Sequence, residues 1–482
     1  MCMLLRSLMV IAMVAGWAHG DNATPRAASK PNIIMILADD FGYGSAGCYG
    51  ADGKLVRTPN IDRLAREGRR FTDACTPSSV CSPTRYGMLT GRYCWRTSLK
   101  QQVLNVKDPL HIETNRTTVA SLLQRNGYAT AAIGKWHLGY GATSPADFTV
   151  KLRPGPQDIG FGYHFGVPSN HGDLTGVFVD GEMVAGLRSA TLMPFGSNYY
   201  GGRPFMGLDA PQRDDSTVME VLTDKAVGWI EQQKRDKPFY LYFTPVAAHE
   251  PVTPSVHTKG TSKAGLYGDW IHELDRSVGR ILDALDKQQI ANDTLVLFTS
   301  DNGGENKNTR GGQAIAIEAG LRMNGPWRAG KHSIYEGGFR VPYLIRWPNK
   351  IPAGTVCDEM INLTDTLATT AVLVGEKPIG EDSFNVLPAW LGEKHDQPLR
   401  ESMILHSSDG TFAVRQGPWK WIEGKPGKPG PAKNRPSDST PQLYNLQDDP
   451  AEQRNVIGDH PAVAQRLSAL LQRFRKQGNS QP

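Results

Sequence analysis

Cys81-Ser82-Pro83-Thr84-Arg85 opens a stretch with the pattern of a helix, which runs on to a glycine at position 91. A proline suits the first turn of a helix, where its missing N–H costs no hydrogen bond. We therefore expect Cys81 at the helix N-terminus, where free N–H groups and the helix dipole attract an anion. Arg85 follows one turn later and should return its guanidinium to the side of Cys81. The stretch predicts a site for a tetrahedral oxyanion, although a helix cap with an ordinary buried cysteine has the same pattern.

Acidic and amide side chains follow two predicted strands, each expected to be buried on both faces. The apolar run of residues 33–38 ends in Asp39 and Asp40. A later apolar run ends in Asp301 and Asn302. In open α/β sheets, ligands bind beyond the carboxyl ends of the strands. Adjacent carboxylates repel unless a cation neutralises them, and oxygen ligands suit Ca²⁺ or Mg²⁺. We therefore expect one divalent cation here, with a turn that caps a helix as the alternative.

Basic and imidazole side chains follow two further predicted strands. The strand of residues 128–133 leads to Lys135 and His137, which point the same way if the segment stays extended. His249 follows the strand of residues 238–243. A cation and an imidazole aimed at one place suit anion binding and proton transfer. Taken singly, these residues also fit a surface loop, because a lone histidine is more often structural than catalytic.

The composition is that of an ordinary globular protein. The chain has 482 residues, which exceeds the size at which a single core stops growing, so we expect two domains. Hydrophobic residues make up 39% and charged residues 21% of it, as in soluble proteins. The formal net charge of +5 helps to attract anionic substrates but is too small to indicate nucleic-acid binding.

The first 20 residues have the pattern of a secretory signal peptide. Arg6 supplies the positive charge, an apolar run follows, and Ala18-His19-Gly20 provides small residues for cleavage. That apolar run is too short to span a membrane, and no later stretch reaches spanning length. The sequence therefore predicts an exported protein without stable membrane insertion.

We expect a catalytic domain over residues 30–375 and a small α+β domain over residues 376–482. The segment of residues 141–211 is predicted to be rich in loops, and Asn170 and His171 within it are candidate substrate contacts. Residues 341–347 are predicted to form the last strand of the main sheet. The C-terminal part should consist of short strands and a final helix.

Five cysteines remain once the signal peptide is removed. If Cys81 is modified, Cys48, Cys75, Cys94 and Cys357 suffice for two disulfides in an oxidising compartment, with the pairing left open. No Cys-X-X-Cys spacing is present, which argues against a zinc site built from thiolates.

Five blocks of the chain together resemble the type I sulfatases of the alkaline-phosphatase-like superfamily. In family order they are the double aspartate at 39–40, Cys-X-Pro-X-Arg at 81–85, Gly-Lys-Trp-His at 134–137, Asp-Asn-Gly at 301–303, and Lys331 with Tyr-Glu-Gly-Gly-X-Arg at 335–340. The chain is most similar to arylsulfatases and N-acetylgalactosamine-6-sulfatases. The resemblance implies a large, mostly parallel sheet between helices, followed by a small C-terminal domain with a short antiparallel sheet and a terminal helix.

The resemblance also implies a modified nucleophile and a metal. In this family a formylglycine-generating enzyme oxidises the cysteine to Cα-formylglycine, and the hydrate of that aldehyde attacks the substrate. Cys81 would be the modified residue. One divalent cation, most often Ca²⁺, with Mg²⁺ as the alternative, would be held by the modified side chain together with Asp39, Asp40, Asp301 and Asn302.

The remaining implied roles concern the sulfate group and two protons. Arg85 and Lys135 would hold the formylglycine hydrate and the sulfate. His249 and Lys331 would bind the sulfate and protonate the leaving alcohol. His137 would take a proton from the second hydroxyl of the hydrate, which expels sulfate and restores the aldehyde.

We therefore expect an exported enzyme that releases sulfate from a sulfated sugar or an aryl sulfate. The chain departs from the familiar pattern at residues 332–334, where relatives more often have small or hydroxyl residues, and in the insertion of residues 141–211. Both departures concern the substrate. Two alternatives are a phosphoesterase or phosphonate hydrolase of the same superfamily and a secreted carbohydrate-binding pseudoenzyme.

Overall fold

A ten-stranded sheet forms the centre of the protein, and the described residues add two two-stranded sheets and one of four strands. The computed structural model describes residues 30–197, 204–306, 312–424 and 440–481. Its strands are β1 (Asn32–Ala38), β2 (Arg69–Phe71), β3 (Ala74–Cys75), β4 (Ala129–Lys135), β5 (Tyr163–Val167), β6 (Val179–Asp180), β7 (Met183–Val184), β8 (Ser189–Ser197), β9 (Pro204–Asp209), β10 (Phe239–Thr244), β11 (Thr294–Ser300), β12 (Tyr343–Arg346), β13 (Thr355–Cys357), β14 (Ile361–Asn362), β15 (Ser402–His406), β16 (Phe412–Gln416), β17 (Trp419–Ile422) and β18 (Gln442–Asn445).

Helices cover both faces of the main sheet. The α-helices are α1 (Pro59–Glu67), α2 (Cys81–Thr90), α3 (Val119–Arg125), α4 (Val218–Glu231), α5 (Gly265–Lys287), α6 (Gln313–Glu318), α7 (Thr366–Leu373), α8 (Leu387–Leu391) and α9 (Pro461–Gln477). Short 3₁₀ helices span Tyr43–Ser45, Gly47–Tyr49, Cys94–Arg96, Pro156–Ile159, Ala291–Asp293, Glu336–Gly338 and Leu363–Asp365.

The order of strands in the main sheet is β13-β2-β12-β11-β1-β10-β4-β5-β6-β7. The four central strands β11, β1, β10 and β4 are mutually parallel, whereas β12 runs antiparallel to β11. Side chains of β1 alternate between two buried clusters: Met35 lies with residues of α2, α3, α7 and α8, and Ile36 lies with residues of α1, α4 and α5. Burial on both faces explains why this strand is a continuous apolar run.

The four-stranded sheet near the C-terminus is antiparallel throughout. One of its faces packs on α9 through Ile404, Val414 and Leu471. The other face packs through Leu405 and Ile422 on the segment of residues 334–339. Residues 31–482 are one compact unit, and the predicted fold, a large mostly parallel sheet with a small C-terminal antiparallel sheet and a terminal helix, is confirmed.

Several local predictions were wrong. The segment of residues 141–211 is rich in loops, as predicted, but it also contains β5 to β9, and β5 to β7 extend the main sheet. These strands were not predicted because none of them is a long apolar run. The last strand of the main sheet in chain order is β13, which pairs with β2 after β12 has turned back. The sequence of residues 71–74 favours one short strand, whereas the structure has two, β2 and β3, in different sheets.

The cysteines of the described residues are all free thiols, so the two expected disulfides are absent there. Cys75, Cys94 and Cys357 are buried, and Cys48 is partly exposed. Even spacing in sequence says nothing about distance, and only geometry decides whether two cysteines can be bridged. The predicted signal peptide lies outside the described residues. No helix within them is both long and apolar enough to cross a membrane.

Packing of the central strands should dominate the stability of the protein. Leu241 in β10 is 0% exposed, whereas Val356 in the edge strand β13 is 52% exposed. We expect Leu241→Ala to lower the free energy of unfolding by about 2–5 kcal/mol, because it leaves a cavity between strand and helices. The control Val356→Ala should change it by less than about 0.5 kcal/mol. Urea denaturation measures both, and equal losses would contradict the assignment of the core.

Candidate active site

The carboxyl ends of β11, β1, β10 and β4 face the N-terminus of α2, and a cavity of about 200 Å³ lies among them. Cys81 is the first residue of α2, as predicted, and Gly91 ends the helix in the left-handed conformation. The lining residues come from these ends and from the loops around them: Asp40, Cys81, Val103, His137, Asn170, His249, Glu250, Glu305, Gln313, Lys331 and His332.

Buried cations surround the predicted acidic ligands. The Lys135 ammonium lies 2.9 and 2.8 Å from the two oxygens of Asp39 and 3.4 Å from the Cys81 sulfur. Asp39 and Asp301 are 0% exposed, and Asp40 is 3% exposed. These carboxylates therefore depend on the charges around them, since an unpaired buried carboxylate is very costly.

Arg85 holds a carboxylate and does not line the cavity. Its Nε and Nη2 donate to Asp301 Oδ2 at 3.0 and 2.8 Å, and its Nη1 donates to the Lys135 carbonyl at 2.8 Å. The guanidinium is fully buried and 3.7 Å from Asp39. One turn of α2 thus brings Arg85 towards the acidic group, where it fixes Asp301.

Both oxygens of Asp40 accept hydrogen bonds from neighbouring segments. The Asn302 amide donates to Oδ1 at 2.7 Å, and the Lys331 ammonium donates to Oδ2 at 2.7 Å. The carbonyl oxygen of the Asn302 side chain is buried and has no hydrogen-bond partner. A buried acceptor beside three carboxylates is what a hard cation requires of its ligands.

A divalent cation fits this donor set. One ligand atom from each of Asp39, Asp40, Cys81 and His249 lies within 4.8 Å of the other three. Asp301 is not in that group, and its oxygens accept from Arg85 and from the Asp40 N–H. The geometry adds His249 to the atoms within reach of a cation.

The buried charges at the strand ends balance among themselves. The three carboxylates of Asp39, Asp40 and Asp301 face three cations, which come from Arg85, Lys135 and Lys331. The cavity wall adds the carboxylates of Glu250 and Glu305. A bound divalent cation would offset these two charges and so favour the anionic end of a sulfate or phosphate ester beside the cations.

The two neighbouring aspartates differ in their affinity for protons. Burial, reinforced by Asp301, raises the pKa of Asp39 to about 7 although Lys135 opposes the change. Burial would also raise the pKa of Asp40, but Lys331 and His249 outweigh it and hold that pKa below its usual range. A cation placed beside the Asp39 carboxylate would favour its ionised form and so oppose the effect of burial.

His137 is arranged as a base. Its Nε2 lies 3.0 Å from the Leu104 carbonyl, which can only accept, so Nε2 carries the hydrogen. Its Nδ1 is therefore the unprotonated nitrogen, and it is buried without a hydrogen-bond partner. Burial, with the nearby charges of Lys135 and Arg85, lowers the pKa of His137 well below its usual value and keeps the ring neutral. The segment is not extended as predicted: His137 has a φ of 55°.

His249 and Lys331 form another part of the cavity wall. The Nε2 atom of His249 lies 3.7 Å from Asp40, and its carbonyl accepts a hydrogen bond from the Trp270 indole at 3.0 Å. Burial and the charge of Lys331 lower the pKa of His249. Burial would lower the pKa of Lys331, but Asp40 outweighs it and raises that pKa well above its usual value. Lys331 is therefore a cation at neutral pH.

The two candidate substrate contacts occupy different positions in the structure. Asn170 lines the cavity, whereas His171 does not. The His171 ring packs on Trp270 with 5.8 Å between the ring centroids, and its Nε2 lies 3.3 Å from the Thr253 hydroxyl. His171 thus supports the loop that carries Asn170.

Four lining residues had no role in the sequence prediction: Val103, Glu250, Glu305 and Gln313. His332 was noted only as a departure from relatives; it lies in the wall, with its Nε2 3.6 Å from a Glu305 oxygen. The only signal in the sequence was position, since Glu250 follows His249 directly and Glu305 comes shortly after Asn302.

Three of the eight described non-glycine residues with positive φ line the cavity. Asp40, His137 and His332 have φ values of 56°, 55° and 72°. Such conformations are uncommon for residues with a side chain and persist where the surrounding structure enforces them. These conformations direct the three side chains into the cavity, which a regular strand conformation would not do.

Comparison with known proteins identifies the family. The family model described as Sulfatase matches residues 31–376. An N-acetylgalactosamine-6-O-sulfatase of Bacteroides thetaiotaomicron is 34% identical, over 92% of this chain and 93% of the relative. Human arylsulfatase A is 33% identical, over 96% of this chain and 90% of the relative.

Solved structures agree with these relatives. A sulfatase structure from work on glycosaminoglycan metabolism by Bacteroides thetaiotaomicron matches with a TM-score of 0.84 and 33% identity, over 93% of this chain and 99% of that one. A phosphonate monoester hydrolase of Agrobacterium radiobacter matches with a TM-score of 0.59 and 18% identity, over 93% of this chain and 96% of that one, which shows a shared fold alone. With the cavity and its donor set, these matches lead to one conclusion: the chain belongs to the sulfatase family.

Proposed function

We propose that this enzyme hydrolyses the sulfate ester of a sulfated sugar or an aryl sulfate, with Cys81 converted to Cα-formylglycine. The observation that carries the proposal is the position of Cys81. It begins α2, it lines the cavity, and its sulfur lies 3.4 Å from Lys135 and 3.7 Å from Asp39. Any side chain formed from Cys81 therefore projects between a buried cation and the acidic group.

An unmodified thiol is a poor nucleophile in this place. Burial, with the charge of Asp301, raises the pKa of the Cys81 thiol far above its usual range. The thiolate, not the thiol, is the reactive form of cysteine. A thiol that attacked sulfur would also be left with sulfate bound to its own sulfur and no easy exit. A hydroxyl of an aldehyde hydrate avoids the second difficulty, because loss of the proton from the remaining hydroxyl expels sulfate.

We assign the metal ligands to Asp39, Asp40, Asp301 and Asn302, together with the side chain derived from Cys81, and the metal to Ca²⁺. The unpartnered Asn302 oxygen and the buried carboxylates support a hard cation. When bound, the cation supplies positive charge that lowers the pKa of the attacking hydroxyl and orients it.

Residues of this chain supply the binding of sulfate and the proton transfers. Lys135 and Lys331 present positive charge to the sulfate oxygens, and Arg85 fixes Asp301 from behind. We assign the protonation of the leaving alcohol to His249 and Lys331, which both contact Asp40. Lys331 is the group that carries the positive charge at neutral pH, and without a proton the alcohol would depart as an alkoxide.

The second proton transfer is assigned to His137. Its buried Nδ1 has a free lone pair, while its Nε2–H is held by the Leu104 carbonyl. This nitrogen accepts the proton of the remaining hydroxyl on residue 81. The carbon–oxygen bond to sulfate then breaks, sulfate leaves, and the aldehyde is restored.

The cavity wall favours a sugar over a flat aryl ring. Glu250 and Glu305 are carboxylates beside the cavity, and Asn170 and Gln313 are amides there. Carboxylates and amides accept hydrogen bonds from hydroxyl groups, which a sugar ring carries on every side. The relatives named as N-acetylgalactosamine-6-sulfatases support the same choice.

Two alternatives remain distinguishable. A phosphonate hydrolase would prefer aryl phosphonate or phosphate to aryl sulfate, but the shared fold with such an enzyme comes at only 18% identity. A carbohydrate-binding pseudoenzyme would keep an intact Cys81 thiol and release no sulfate. Purified protein assayed with matched sulfate, phosphate and phosphonate esters separates the three.

Export and maturation complete the proposal. We propose that residues 1–20 direct export and that a formylglycine-generating enzyme modifies Cys81 before the chain folds. The burial of Cys81 at 1% exposure supports this order, because a modifying enzyme could not reach the folded site.

Conversion of Cys81 should be visible in active protein. Peptide mass spectrometry on the segment around residue 81 is expected to find an aldehyde in place of the thiol. Cys81→Ala should release no measurable sulfate, while Cys94→Ala, a buried cysteine outside the cavity, should retain activity. A thiol in every active preparation would contradict the proposed mechanism.

The acidic ligands should control metal binding. Asp40→Asn is expected to weaken Ca²⁺ binding by at least ~100-fold, since removal of a supporting hydrogen bond alone commonly costs about 10- to 100-fold. Asp283→Asn is the matched control, because Asp283 is an exposed aspartate on α5. Isothermal titration calorimetry measures both, and equal affinities in the two variants would exclude this ligand set.

The two histidines should respond differently to the leaving group. His249→Gln is expected to slow an alkyl sugar sulfate by about 10²–10⁴-fold and an aryl sulfate with an acidic phenol much less, because only the poor leaving group needs a proton. His137→Gln should slow both substrates alike. Initial rates over a series of leaving groups test this, and identical slopes for the two variants would contradict the assignment.

A further inference from the structure

A buried ion cluster joins the C-terminal sheet to the segment that carries Lys331. Lys420 in β17 is 0% exposed, and its ammonium lies 3.0 Å from Glu336 and 2.8 Å from Glu452. Both contacts are ion pairs rather than well-aligned hydrogen bonds. The carboxylate of Glu452 also accepts from the Glu336 N–H at 2.6 Å. None of these three residues lines the catalytic cavity.

Glu336 is the centre of this cluster. Its side chain is fully buried, and the Arg340 guanidinium donates to it at 2.6 Å. Arg340 and Arg415 both bind Asp73 at 2.7 Å. Counted as ions, Asp73, Glu336 and Glu452 balance Arg340, Arg415 and Lys420. Removing any one charge therefore leaves a buried ion without its partner, which is far more costly than losing a surface pair.

The segment of residues 330–338 is fixed at both ends to the chain beyond β11. The Lys331 N–H donates to the Gly304 carbonyl at 3.1 Å, and the Gly303 N–H donates to the Gly338 carbonyl at 3.0 Å. A Cβ atom at Gly303 would lie 1.8 Å from the Gly337 carbonyl oxygen, so the backbones touch there. Glu336 sits between these two anchors.

Both oxygens of Asp40 accept hydrogen bonds from these two joined segments. Asn302 directly precedes Gly303 and donates to Oδ1, while Lys331 donates to Oδ2. A displacement of the segment at Glu336 would therefore move both donors at once. The path from β17 to the cavity runs through ion pairs, a peptide contact and these two hydrogen bonds.

We propose that Lys420 is a positioning residue for the active site: through Glu336 it holds the segment of residues 330–338 against Gly303, and so sets the donors to Asp40. This inference rests on the proposed function of Asp40 as a metal ligand. It gives the small C-terminal sheet a role in catalysis. The motif residues of the family all lie before residue 341 and therefore do not include this sheet.

The C-terminal sheet itself provides the control. Leu471 in α9 packs on the opposite face of that sheet, away from residues 334–339, and is 0% exposed. Leu471→Ala should destabilise the sheet by opening a cavity. It leaves the ion cluster intact and touches nothing that leads to Asp40.

The experiment compares Lys420→Met, Glu452→Gln and Leu471→Ala with the unaltered protein. Lys420→Met keeps the length of the side chain and removes its charge. Glu452→Gln keeps both Lys420 and the volume of the site. It replaces Lys420→Met in the comparison if that variant does not fold. The measurements are the melting temperature without metal, the Ca²⁺ dissociation constant by calorimetry, and kcat and KM for an aryl sulfate.

We expect Lys420→Met to raise the Ca²⁺ dissociation constant about 10-fold, the scale of losses on removing a residue that orients a ligand. Its kcat should fall more than its KM rises. Glu452→Gln should show the same pattern more weakly. Leu471→Ala should lower the melting temperature while its dissociation constant stays within about twofold of the unaltered protein, and Lys420→Arg should recover part of the affinity.

Two outcomes would overturn the inference. If the Ca²⁺ dissociation constant of Lys420→Met, or of Glu452→Gln where the former does not fold, equals that of Leu471→Ala, the cluster is only structural. If the unaltered protein does not bind Ca²⁺, the proposed metal role of Asp40 fails together with this inference. The binding curve of the unaltered protein thus separates a failure of the proposed function from a failure of the positioning role.

Discussion

The site depends on a balance of buried charge. Three carboxylates, Asp39, Asp40 and Asp301, are removed from water at the ends of β1 and β11, and Arg85, Lys135 and Lys331 compensate them. None of these groups could be buried alone at acceptable cost. Because these six groups balance among themselves, a divalent cation would offset the two carboxylates of the cavity wall, Glu250 and Glu305, and so favour an anionic ester. The same arrangement of buried charges therefore accounts for both metal binding and the attraction of the substrate.

The parallel sheet makes this balance possible. Parallel strands place their carboxyl ends at one edge, so residues separated by hundreds of positions in sequence meet there. The loop after β1 is joined to the loop after β10, since the Asp39 N–H donates to the Ala247 carbonyl at 3.0 Å. The chain after β11 is held in turn by the segment that carries Lys331. The apolar strands thus supply rigidity, and the loops at their ends supply the chemistry.

The sequence predicted the parts that follow from long apolar runs and from motifs. Cys81 lies at the start of α2, as its proline implied. Two kinds of feature could not be predicted from the sequence. Short edge strands such as β7 and β13 have too few residues to show a period. The roles of Glu305 and Lys420 depend on contacts between distant segments, and the exposed or buried state of a lone charged residue cannot be read from its neighbours.

The central claim is that a converted Cys81 and one hard cation share this site. A high-resolution crystal structure of active protein grown with Ca²⁺ tests it most directly. The account predicts oxygen in place of sulfur at residue 81, and one cation bound by Asp39, Asp40, Asp301 and Asn302. An unmodified thiol beside these carboxylates, or a pair of metal ions bound largely by histidines, would contradict it.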